Sequence, residues 1–142
     1  MSTRESNQEP LLLRLQGDRA IIQATDAARA FGIARSLAPE DVSRLCIVIE
    51  ELIANLYDHG GVTWQDEVLL EMALAPNGVR VAISDFGLTF DPWSGQPPAD
   101  SIGGAGAGIR LIRAWAERLS YVSSDAGNRL EFLLPIRPDA EV

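Results

Sequence analysis

Glu51 and Asn55 stand four residues apart in the stretch Ile47 to Gly61, IVIEELIANLYDHGG. On a helix that spacing puts both side chains on one face, one turn apart. A carboxylate there can accept a proton, and an amide oxygen can bind Mg²⁺. Asp85, in Asp85-Phe86-Gly87, closes a run of alternating apolar residues, which places a second carboxylate at a strand end. If buried it needs a donor. An exocyclic amine, as on adenine, would serve, and so would the turn that follows. Gly103-Gly104-Ala105-Gly106-Ala107-Gly108 leads straight into another apolar-periodic run. Glycines let a backbone approach a ligand closely, and the N–H groups at a helix start favour an anion, typically phosphate. Each feature also has a plain structural reading: an amphipathic helix with incidental polar residues, a turn cap, and a glycine-rich connection.

Composition removes several chemistries. All 12 basic residues are arginine and none is lysine. A P-loop, a protein-kinase strand lysine and a Schiff base all need lysine, so the letters DFG do not make this a protein-kinase fold. The single histidine, His59, excludes a histidine metal cluster and reads as a helix-terminal residue. The single cysteine, Cys46, excludes an internal disulfide and a multi-cysteine zinc site; within an apolar helical run it reads as a buried, inert thiol. A dinucleotide fingerprint fails on register, because Ile109 stands where its last glycine belongs. A net charge of −8 argues against a nucleic-acid partner. No apolar run approaches the roughly 18 residues of a membrane span, and the first nine residues are polar, so a cytoplasmic protein is expected.

The elements that must position these groups follow from periodicity. Leu11, Leu13 and Leu15 alternate within a short strand from Pro10 to Gln16. Ala24, Ala27, Ala28, Phe31 and Ala34 recur at helical spacing within Ile21 to Leu37. Pro39, Glu40 and Asp41 open the helix that carries Glu51 and Asn55, and Gly60-Gly61 closes it. Its stripe of Leu45, Val48, Ile49, Leu52 and Leu56 is the side to be buried. Glu67 to Ala75 and the run of Val79, Val81 and Ile83 form a hairpin about Pro76-Asn77-Gly78. A loop of about 20 residues then reaches the glycine run, longer than an ordinary connection. Ile109 to Leu119 predicts a helix with Leu111, Ile112, Trp115 and Leu119 inward. Ser120 to Ser124 and Arg129 to Pro135 predict a last hairpin, turning at Ala126-Gly127-Asn128. Residues 1–9 read as disordered, 10–136 as one domain, and 137–142 as a tail. The helices and the antiparallel strands are segregated, which points to an α+β fold of two layers.

Taken in order, the three sites resemble the GHKL (Bergerat) ATP-binding fold of histidine kinases and gyrase-type ATPases. The match is closer to its small stand-alone branch, the anti-sigma-factor serine kinases of bacterial partner-switching systems. Glu51-Leu-Ile-Ala-Asn55, continuing to His59-Gly60, resembles that branch's N box. Asp85-Phe-Gly87 resembles its first glycine box, and Gly104-Ala-Gly106-Ala-Gly108 its second; Gly127-Asn128-Arg129-Leu130 also fits its last strand. The resemblance covers about Leu11 to Pro135. It implies a two-layer α/β sandwich with helices on one face of a mixed, mostly antiparallel sheet.

It also implies roles. Glu51 would be the general base that activates a substrate serine, and Asn55 the ligand of the Mg²⁺ that bridges the ATP phosphates. Asp85 would hold the adenine amine, and Gly87 would let adenine lie close. Gly104, Gly106 and Gly108 would wrap the phosphates, with Asp91 to Ile102 as a lid. Where many relatives carry a second glycine in the first box, Leu88-Thr89 stands here. Arg110 either reaches a phosphate or faces solvent. No counterpart of the threonine that some relatives place near adenine is evident, since Leu130 stands in that region. The implied partner is a STAS-domain anti-sigma-factor antagonist, with a sigma factor and a second copy of the chain as further expected partners, and neither nucleic acid nor membrane. The alternative is an ATP-gated, protein-binding anti-sigma module with little catalysis.

Overall fold

Alternating apolar residues become one sheet, whose inner face the helices cover. The computed structural model describes residues 9–95 and 105–136. Its strands are β1 (Leu11–Leu15), β2 (Val68–Ala75), β3 (Gly78–Asp85), β4 (Glu117–Ser124) and β5 (Gly127–Pro135), in the order β1-β2-β3-β5-β4. Each neighbouring pair is antiparallel. The sheet is therefore antiparallel throughout the described residues, where the resemblance allowed for a mixed one. The reason is connectivity: two tight hairpins, β2–β3 and β4–β5, supply four of the five strands.

Register follows the hydrophobic pattern. Leu70 faces Ile83, Met72 faces Val81 and Leu74 faces Val79. Across the next ladder Val79, Val81 and Ile83 face Leu134, Phe132 and Leu130. These side chains form the floor of the core.

The roof is α1 (Ala20–Ala34) and α2 (Pro39–Asp58), with α3 (Ala105–Trp115) beside them. Small residues of α1, Ala20, Ala24 and Ala28, are fully buried and let α2 pack closely. From α2, Leu45, Val48, Ile49, Leu52, Ile53 and Leu56 enter the core. Each such side chain contributes roughly 1.5–3 kcal/mol when fully removed from water. Pro39 occupies the first turn of α2 with Glu40 and Asp41, as its start signal implies. The helix closes on Gly61, whose φ of +71° is the left-handed conformation that glycine adopts without strain.

Several boundaries differ from those read in the sequence: α1 ends at Ala34 and not at Leu37, and three further differences bear on the site. First, α3 starts at Ala105, inside the glycine run, and ends at Trp115 rather than Leu119. Glycine costs little in a first turn, where the leading N–H groups have no helical partner in any case. Second, pairing with β5 captures the chain from Glu117 onward, and the ladder shifts register between Arg118 and Ser120. Leu119 sits at that irregularity and is 41% exposed instead of inward. Third, the last turn is Asp125-Ala126, so Gly127 and Asn128 belong to β5. Residues 1–8 and 137–142, expected to be a disordered start and a tail, lie outside the described residues.

Candidate functional site

The amphipathic roll of α2 decides where its polar pair stands. With Leu52 and Leu56 buried, Asn55 lies at the edge of the core, only 8% exposed, and Glu51 is half-buried one turn earlier. The Asn55 Nδ2 is buried and has no hydrogen-bond partner among the described residues. An unsatisfied buried amide costs about 1–3 kcal/mol, so this group is set for a ligand rather than for the fold. Burial pushes the Glu51 carboxyl above its ordinary pKa, and the negative charges of Glu50 and Asp58 add to the shift. A base raised toward neutral pH is better suited to take a hydroxyl proton.

At the far end of α2 the chain turns back toward β3. Leu88 N–H donates to Gly60 O at 2.7 Å, tying the helix end to the turn after Asp85. Gly87 sits at that junction. A Cβ there would collide with Gly60 O and come within 2.8 Å of Val62 Cγ2. Glycine is thus required by backbone packing on this side, whatever lies on the other.

Asp85 is 5% exposed at the end of β3. Its Oδ1 accepts from Gly87 N–H at 2.7 Å and from Asn128 Nδ2 at 3.0 Å. Among the described residues no donor reaches Oδ2. The carboxyl therefore caps its turn and still has an acceptor to spare, so the two readings of Asp85 are compatible. It lines a small, partly open cavity. Leu52 and Leu56 of α2 form one wall, Ile83 and Leu130 of the sheet another, and Phe90, Pro92 and Tyr121 close the third side. A mostly apolar lining with one carboxylate acceptor suits an aromatic base that carries an amine.

The second glycine box is only partly in view, because Gly104 lies outside the described residues. Gly106 and Gly108 fall in the first turn of α3. A Cβ at Gly108 would overlap Glu51 Oε1, so the carboxylate rests directly against this turn. Glu51 thus meets the first turn of α3, while the cavity that Asp85 lines reaches α2 through Leu52 and Leu56 and not through Glu51 or Asn55. A Mg²⁺ ion takes few protein oxygens and completes its shell with phosphate and water; the Asn55 amide oxygen, one turn from the Glu51 carboxylate, would be such a ligand, whereas its unpartnered Nδ2 is a donor that only an acceptor could satisfy. Arg110, on the next residues of α3, is exposed.

Residues 17–134 match the family described as the histidine kinase-like ATPase domain. The chain belongs to that family. No curated protein matches it. Membership implies ATP binding and, in general terms, ATP-dependent phosphotransfer. Among the described residues no helix is long and apolar enough to cross a membrane.

Sequence reasoning missed part of the ATPase domain's site. Asn128, read as a turn residue, is placed opposite Asp85 by the β3–β5 register. Tyr121 Oη accepts from Phe90 N–H at 2.8 Å and helps to close the cavity. Only the strand pairing brings these residues together, and local pattern carries no signal of it. The start of the expected lid is held in place in this structure. Arg113 donates to Pro92 O at 2.7 Å, Ser94 O at 2.8 Å and Gly95 O at 3.2 Å, and Arg118 pairs with Asp91. Trp93 is half-buried, with its ring centroid 5.9 Å from that of Phe132. Residues 91–95 are therefore anchored to α3 and the sheet, and residues 96–102 lie outside the described residues.

Proposed function

We propose that this ATPase domain is a cytoplasmic, Mg²⁺-ATP-dependent protein serine kinase of a bacterial partner-switching system. Its substrate is a serine on a STAS-domain anti-sigma-factor antagonist. The observation that carries the reading is the Glu51–Asn55 pair: a half-buried carboxyl with a raised pKa that rests on the first turn of α3, one turn from an amide whose Nδ2 has no partner among the described residues. Nucleotide binding alone needs Asn55 and Asp85 and has no use for a base; the presence of Glu51 supports transfer.

When bound, Mg²⁺-ATP supplies the phosphoryl group and the neutralising charge. The chain's own part is placement. Asp85 accepts from the base amine in the apolar slot. Asn55 offers its amide oxygen to the metal. The first turn of α3, with Gly106 and Gly108, offers N–H groups to phosphate oxygens. Glu51 would take the proton from the serine hydroxyl as that oxygen bonds to the γ-phosphorus and the bond from phosphorus to the ADP oxygen breaks, with ADP leaving. Sequestering of a sigma factor and pairing of two copies of the chain are further roles that the resemblance supports.

The test is label transfer from γ-labelled ATP to a purified STAS-domain partner. Glu51→Ala should retain nucleotide uptake and lose transfer. Transfer that survives in this variant removes Glu51 as the base. Wild-type protein that binds ATP and a partner without transferring label supports the ATP-gated binding module instead.

A further inference from the structure

Asn128 is 4% exposed and has every polar atom engaged. Its Nδ2 donates to Asp85 Oδ1 at 3.0 Å, and lies 3.0 Å from Gly87 O and 3.2 Å from Leu88 O. Its Oδ1 accepts from Ser123 Oγ at 2.6 Å. Three acceptors at one end and a hydroxyl at the other leave the amide a single orientation. Ser123 has one hydroxyl proton, and that proton goes to Asn128. The 2.7 Å contact between the Ser123 and Thr89 hydroxyls is then donated by Thr89. Thr89, Ser123, Asn128 and Asp85 form a chain of hydrogen bonds that runs one way, from the surface to the cavity.

The end of that chain is what matters for a ligand. Asp85 Oδ1 receives two donors, Gly87 N–H and Asn128 Nδ2. The carboxyl is held through Oδ1, and Oδ2, which no donor among the described residues reaches, is the spare acceptor of a side chain that lines the cavity. We propose that Asn128 is a positioning residue that sets base selectivity: it fixes Asp85 as an acceptor toward the cavity, so that a 6-amino purine is retained and a 6-keto purine rejected. A keto oxygen facing that acceptor would leave both groups unpaired, and sites built on a buried hydrogen bond discriminate far better than sites built on shape. This inference rests on the nucleotide-binding reading above and deepens it.

Calorimetry on the full chain in magnesium buffer, with ADP and inosine diphosphate as probes, tests it. Wild-type protein should prefer ADP. Asn128→Ala should weaken ADP by about tenfold and inosine diphosphate by less than about twofold, so that the ratio of the two affinities collapses. Asn128→Asp keeps the shape and turns the donor into an acceptor, and should lower the ratio at least as far. Should Asn128→Ala fail to fold by circular dichroism, Ser123→Ala carries the test, since it frees the far end of the amide and leaves Asn128 in place; its ratio should fall by about threefold. An equal loss for both nucleotides, with the ratio intact, overturns the proposal and leaves Asn128 a structural residue. Wild-type protein that binds both nucleotides equally also overturns it, while nucleotide binding stands. Wild-type protein that takes up neither sinks the nucleotide-binding reading itself.

Discussion

The Glu51 carboxylate rests on the bare Cα of Gly108, where any other residue would place a Cβ. The two helices that border the site touch through this contact, so the position of the proposed base is set by what Gly108 lacks. Gly108→Ala would put a methyl group onto Oε1, the free end of a flexible side chain. The fold should tolerate this, because alanine gains about 1 kcal/mol over glycine in a helix and the carboxylate can swing away. Phosphotransfer should fall by about a hundredfold, the usual worth of a displaced general base. A thermal melt within a few degrees of wild type, with label transfer lost, is the expected pair of readings.

Glu51 also gives the fold a pH signature. Its carboxyl pKa is raised by burial, so the folded state favours the neutral form. The folded chain holds this proton over a range in which the unfolded chain has released it, so this group makes stability fall as pH rises through its folded pKa. Glu51→Gln removes the buried charge. Its melting temperature should exceed wild type at neutral pH, and the difference should shrink as pH drops below the ordinary glutamate value of 4.5. A difference that grows on acidification would contradict the raised pKa.

Asn55 should separate function from stability. Its Nδ2 is buried and has no partner among the described residues, so the nucleotide-free fold gains no hydrogen bond there from that group. Asn55→Ala should leave the nucleotide-free melt within about 1 kcal/mol of wild type, the lost van der Waals contact offset by the removal of an orphaned donor. Magnesium-dependent ATP uptake should drop by about tenfold or more. Titration calorimetry with and without magnesium, beside a denaturant melt, reads both effects.

Arg113 holds three carbonyls of residues 92–95, and Trp93 packs behind them on Phe132. Arg113→Ala should release this segment, shift Trp93 emission to longer wavelength, and cost about 1–3 kcal/mol in hydrogen bonds made by a charged donor. The measurement is cleanest with Trp64 and Trp115 replaced by phenylalanine. Emission that does not move would show that Phe132 alone positions Trp93.

How far the sequence could be read depended on how local each signal is. The 20 residues of α2 carry a strong helical period, so the placement of Glu51 and Asn55 on one helix face follows from spacing alone. The β2–β3 hairpin follows from strict alternation around Pro76-Asn77. The start of α3 was hidden because glycine is a loop residue by propensity, while the first turn of a helix tolerates it. Leu119 was misplaced because the register shift in β4 comes from pairing with β5 and not from the segment itself. The Asp85–Asn128 bond joins residues 43 positions apart, and it forms only once β5 has docked beside β3. The Arg113 clamp likewise depends on α3 lying over the chain that leaves the cavity.

The bond from Leu88 N–H to Gly60 O has one more implication. It rivets the helix that would grip the metal to the corner that would grip the base. The two grips therefore share a foundation and shift in lockstep. A side chain forced in at Gly87, the seam between them, would loosen both ends of a bound nucleotide together instead of sparing one.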